Sequence, residues 1–63
     1  MNLVMEKRMR EELILELIEM KKLGIRVTDE TLEAARNVSL TEYDAISVSD
    51  LASLFCELYN GSR

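Results

Sequence analysis

Chemistry in this chain would have to come from carboxylates or from one thiol, because its 63 residues include a single cysteine, Cys56, and no histidine. Without imidazole there is no common general base of neutral pKa and no Ser-His or Cys-His pair. Gly24 and Gly61 stand alone, so no glycine-rich loop can cradle a phosphate. Cys56 has Glu57 as its only adjacent charge, and a neighbouring carboxylate raises a thiol pKa instead of activating it. A packed, unreactive thiol is the expectation. Glu12, Glu16 and Glu19 follow one another at four and three residues, a spacing that aligns carboxylates along a helix. Carboxylate-bridged metal sites in helices also use Glu-x-x-His, which this chain cannot supply, so the trio reads as a solvated charged face. No catalytic, metal or cofactor residue is assigned, and an enzyme is not expected.

The elements that would position such residues are all helical. Asn2 to Leu23 contains no Gly or Pro and is dominated by Leu, Met, Glu, Lys and Arg, good helix formers that predict about six turns. Gly24 suits the left-handed position that ends a helix, and Lys21 and Lys22 sit where cations favour the helix dipole. Ile25-Arg26-Val27 is too short for a sheet and reads as a connector. Thr28 before Asp29-Glu30 is a helix-start pattern, predicting a helix over 29–37 with Leu32, Ala35 and Ala34 inward. Ser39-Leu40-Thr41-Glu42 fits a capping box, predicting one or two turns over 40–46. Ser47 or Ser49 then caps a helix over 48–59 on which Leu51, Leu54, Phe55 and Leu58 recur at helical spacing, with Val48, Ala52 and Tyr59 beside them. Gly61 follows as its stop. The expected fold is all-α: one domain over 1–63, with a long N-terminal helix followed by two or three short ones.

A domain this small gains only a few kcal/mol from its own core, and an intrachain disulfide or an ordinary zinc site is excluded by the residue counts. Oligomerisation is the stabilising device that remains. At about 100° per residue, Met5, Met9, Leu13, Leu17, Met20 and Leu23 fall along one stripe of the long helix, with Ile14 and Ile18 on its flank and Leu15 nearly opposite. That arc is wider than one short neighbour would cover. The rest of the chain would cover part and a second copy the remainder, giving a homodimeric helical bundle with Met5, Met9, Leu13, Leu17, Ile18 and Met20 as self-association residues. Met1, Met5 and Met9 recur every four residues and are expected to serve ordinary packing more than adaptable binding. Glu6 and Arg10 read as a plain surface pair.

The apolar share of 48% predicts a folded chain. No apolar run is long enough to span a bilayer, no signal-peptide pattern is present, and an unpaired cysteine fits a reducing compartment. The expected location is the cytoplasm. The net charge of −4 is uneven: residues 1–27 carry six Lys or Arg against five Asp or Glu, and residues 28–63 carry two against seven. The second half should therefore repel nucleic acid.

Two short stretches carry resemblances. Leu32-Glu33-Ala34-Ala35-Arg36-Asn37-Val38-Ser39 resembles the first helix and turn of a DNA-binding helix-turn-helix. The turn glycine is missing, however, and the would-be recognition segment, Thr41 to Ser47, carries Glu42 and Asp44 with no Lys or Arg. Glu19-Met20-Lys21-Lys22-Leu23-Gly24-Ile25, then Thr28-Asp29-Glu30, resembles the helical interaction hook of SinI-type anti-repressors over ten residues, with Arg26 and Val27 inserted. It implies binding to a regulatory protein and assigns no residue roles. Together these readings predict a small regulator acting by protein–protein interaction, as inhibitor, anti-repressor or adaptor. Leu15 and the acidic Glu30, Glu33, Glu42 and Asp44 are the candidates for an external protein partner. The alternatives are a DNA-binding regulator whose Lys7, Arg8 and Arg10 touch phosphate, and a structural subunit of a larger assembly.

Overall fold

The first helix, α1 (Leu3–Lys22), runs uninterrupted until Gly24, whose φ of +93° is open to glycine and costly for other residues. The helix ends in a Schellman arrangement: the Ile25 amide donates to the Met20 carbonyl (3.0 Å) and the Gly24 amide to that of Lys21 (3.1 Å). This turn sends the chain back along α1. The computed structural model describes residues 3–61. Met1 and Asn2, on which the predicted helix start and the first of the spaced methionines fall, lie outside the described residues.

Helix α2 (Asp29–Asn37) is capped by Thr28, whose Oγ1 accepts from the Thr31 amide at 3.3 Å. Helix α3 (Val48–Tyr59) is capped by Ser47, whose Oγ accepts from the Asp50 amide at 3.2 Å. Both caps satisfy amides that a helix start leaves without intrahelical partners. The C-terminal end of α2 lies against the N-terminal half of α1, and its N-terminal end lies against the end of α3. The three helices therefore run up, down and up, each packed on the other two. Leu13 and Leu17 of α1, Ala34 and Ala35 of α2, and Leu51, Ala52 and Phe55 of α3 form the core with Val27 and Leu40. Phe55 stands at its centre, with Tyr43 edge-on at 5.9 Å and Tyr59 tilted at 5.2 Å between ring centroids.

The inward face of α2 is small, and two polar clusters fix its ends. At its C-terminal end, Arg10 Nη1 donates to the carbonyls of Ala35 (2.7 Å) and Val38 (2.9 Å) while Nη2 reaches Glu6 Oε2 (3.2 Å). The same Glu6 oxygen accepts from the Leu40 amide at 2.8 Å. At the other end, Asn60 Oδ1 accepts from the Thr28 amide (3.0 Å) and from the Thr31 hydroxyl, and Asn60 Nδ2 donates to the Arg26 carbonyl (3.0 Å). Thr31 is wholly buried, so this partner matters to it.

Four expectations are corrected. Leu13 and Leu17, read as self-association residues, are fully buried within the chain's own core; α2 and α3 cover α1 together, where the wheel reading allowed one cover. The Glu6–Arg10 pair is a tertiary clamp and not a plain surface pair. The capping box does not form: Leu40 lacks a side-chain cap, Ser39 Oγ meets Thr41 Oγ1 at 3.2 Å, and only a 3-10 turn, Thr41–Tyr43, replaces the helix expected over 40–46. Leu40 is buried in the core and its amide donates to Glu6. On α3 the buried face centres on Leu51, Ala52 and Phe55, leaving Leu58 56% exposed.

Replacing Arg10 by Ala takes their side-chain donor from the Ala35 and Val38 carbonyls and leaves Glu6 with the Leu40 amide alone, and should lower unfolding free energy by about 1–3 kcal/mol in a denaturant titration. Arg10→Lys should recover only part of the loss, because an ammonium lacks the guanidinium fork. Asn60→Ala should cost a similar amount, about 1–3 kcal/mol, and Asn60→Ala with Thr31→Val should cost less than the two single changes summed, since the pair removes donor and acceptor together.

Candidate interaction surface

Helix α1 turns different faces to the core and to solvent. Its inner side carries Leu13 and Leu17, with Met9, Ile14 and Met20 half-buried against the core. Beside that side, Met5, Arg8, Met9 and Glu12 line an open groove of about 330 Å³ whose far wall is Asp44, just beyond the 3-10 turn. Met5 and Met9 follow one another by four residues, as do Arg8 and Glu12, which places all four on one strip of the helix. The groove thus has thioether surface lined by one cation and two carboxylates. Arg8 makes no ion pair or hydrogen bond with the described residues.

A second surface lies on the outside of α1, where Leu15 is 65% and Ile18 38% exposed. Leu23 and Ile25 are exposed around the Gly24 turn, as is Leu58 on α3. No described helix is long and apolar enough to cross a membrane.

The structure redistributes the residues singled out from sequence. Of the six read as self-association residues, Leu13 and Leu17 are interior, Met9 and Met20 are partly covered by the core, and Met5 and Ile18 stay exposed on different faces of α1. Of the five read as partner-binding, Leu15, Glu30, Glu33, Glu42 and Asp44 are all exposed but do not form one site. Asp44 faces the N-terminal half of α1. Glu30 lies beside Gly61 at the opposite end of the bundle, so close that a Cβ at Gly61 would stand 2.9 Å from its Oε1. Glu33 accepts a 3.0 Å hydrogen bond from Asn37 Nδ2 and pairs with Arg36 at 3.6 Å. Arg8 and Glu12 were read from sequence as cation and helix-face acid, and nothing local announced that they share a groove with Asp44. Their common strip with Met5 and Met9 was the available signal.

Chemically active groups are sparse. Cys56 is half-buried, its Sγ 3.9 Å from the Arg26 carbonyl. Burial pushes its thiol pKa up, so burial, and not the adjacent Glu57, holds it in the unreactive form. Among the described residues no three His, Cys, Asp or Glu side chains come together as metal ligands. Compared with protein-family models, curated proteins and solved structures, the chain matches none.

A raised thiol pKa means that the thiolate appears at higher pH in the folded protein than in the unfolded chain. Alkylation of Cys56 by iodoacetamide should accordingly rise with pH later in native buffer than in denaturant, and superimposable pH profiles would show that burial has no hold on the thiol.

Proposed function

We propose that this chain is a small regulatory protein that acts by binding protein surfaces, a second copy of itself among them, and carries out no catalysis of its own. The observation that carries this reading is the groove of Met5, Arg8, Met9, Glu12 and Asp44. Its methionines offer polarisable, adaptable contact surface. Its walls, of both charge signs, suit an amphipathic helix that brings an apolar ridge and flanking charges. Its lining side chains include no thiol, hydroxyl or imidazole. The cytoplasmic setting inferred from the unpaired cysteine fits such a role.

The same geometry supports a protein partner over DNA. Arg10, one of the three cations available for phosphate, is engaged with the carbonyls of Ala35 and Val38. A recognition helix would have to occupy the segment after Ser39, where there is a 3-10 turn carrying Glu42, followed by Asp44. Two of the three charged residues in the groove are carboxylates, the wrong sign for a phosphate backbone.

A photo-crosslinking residue in place of Glu12, introduced in the native host, should yield adducts with protein. Arg8→Glu or Asp44→Lys in the same chain, both at exposed positions, should remove them. Adducts with nucleic acid, or a gel shift of duplex DNA that fades steeply as salt rises, would overturn the proposal.

A further inference from the structure

The outward side of α1 carries a regular series. Val4, Arg8, Glu11, Leu15, Ile18 and Lys22 are spaced by four, three, four, three and four residues, and every one of them is exposed. Alternating threes and fours keep side chains on one narrow strip of a helix, the spacing by which two helices meet along a shared line. Among the described residues nothing covers this strip.

The order of charges along it indicates what does. If two copies pair in parallel, Arg8 meets Arg8, Glu11 meets Glu11 and Lys22 meets Lys22, three like-charge encounters. If they pair antiparallel about a two-fold axis between residues 16 and 17, each position meets the one that sums with it to 33. Leu15 then faces Ile18 of the other copy, Glu11 faces its Lys22, and symmetry repeats both contacts. The result is four adjacent aliphatic side chains at the centre with an opposite-charge pair on either side, the arrangement of apolar centre and polar rim that protein interfaces use. Another antiparallel register brings Arg8 to Glu11 and Val4 to Leu15. It puts the charges at the centre and strands Ile18 and Lys22, so it is the poorer solution.

We infer that the chain forms an antiparallel two-fold dimer through the outer face of α1, with Leu15 and Ile18 at its centre and Glu11 paired with Lys22 across it. This inference rests on the reading of the chain as self-associating and supplies the face and orientation. The paired stretch, residues 11–22, is about 18 Å long at 1.5 Å per residue, which makes a small interface of the transient class.

Sedimentation equilibrium of the full chain, up to about 500 μM to reach a transient association, tests it. The wild-type chain should dimerise. Lys22→Glu or Glu11→Lys alone sets like charges against each other at both symmetric contacts, and should weaken dimerisation by roughly tenfold. The double exchange, Glu11→Lys with Lys22→Glu, should bring it back to within about threefold of wild type. Leu15→Asp should abolish dimerisation with unchanged helical circular dichroism and melting, since Leu15 is outside the core. A chain that stays monomeric throughout would overturn self-association altogether. A dimer indifferent to the Lys22 and Glu11 exchanges would leave self-association standing and overturn the face and orientation inferred.

Discussion

Everything else in this fold depends on holding a nine-residue helix that has almost nothing to bury. Helix α2 turns Thr31, Ala34 and Ala35 inward, and alanine removes little apolar area from water. A helix of that length is unstable alone, so tertiary contacts must keep it formed. The Arg10 guanidinium does so at one end by accounting for the carbonyls that a helix C-terminus leaves unmatched, and Asn60 does so at the other. The small side chains are part of the same solution. They let α2 come close enough to α1 for a side chain at position 10 to reach the backbone at 35 and 38. Larger residues on that face would bury more area and push the carbonyls out of reach.

The clamp also determines which faces of α1 remain for other molecules. Once Glu6 and Arg10 point to the end of α2, Leu13 and Leu17 are committed to the core beneath it, and α3 closes over them from the other side. Met5, Arg8, Met9 and Glu12 lie along the edge of that covered region and form a groove because Asp44 stands opposite them. Asp44 is there because Leu40 is drawn into the core and its amide is tied to Glu6. The groove is therefore a by-product of the same cluster that seats α2.

Local features of the fold were legible in the sequence, and long-range ones were not. The Gly24 turn and the Thr28 cap each rest on bonds between residues a few positions apart, and pattern alone located them; for the last helix it left Ser47 and Ser49 open, and Ser47 is the cap. The box at Ser39-Leu40-Thr41-Glu42 has equally good local chemistry and does not form: the Ser39 hydroxyl meets Thr41 Oγ1, and Leu40 is buried with its amide donating to Glu6, far away in sequence. The wide apolar arc of α1 was visible too, but a wheel shows how much surface needs cover without showing how many neighbours provide it. Leu15 illustrates the consequence. It falls nearly opposite the stripe and reads from sequence as a contact for an external partner; with Leu13 and Leu17 enclosed, it stands exposed on the outer side of α1 beside Ile18. The joining of Arg8 and Glu12 to Asp44 belongs to the same class: it needed the position of a turn that no local signal specified.

The two surfaces of α1 bear on each other through geometry. On a helix the groove strip and the outer strip are separated by about a quarter turn at 100° per residue, with Arg8 on their border. In the antiparallel pairing we infer, the axis would pass between residues 16 and 17, while the groove spans residues 5 to 12. Each groove would then be about 12 Å from the axis along the helix, and the two would be about 24 Å apart at opposite ends of the pair. Residues 5 to 10 would extend past the paired stretch, so such a dimer would leave most of each groove open. A partner that is itself two-fold symmetric, with matching ridges at that separation, would engage both at once, and the second contact would form at the high effective concentration that linkage provides. Weak association at each surface would then suffice for firm binding to a symmetric partner, with little retention by a monomeric one.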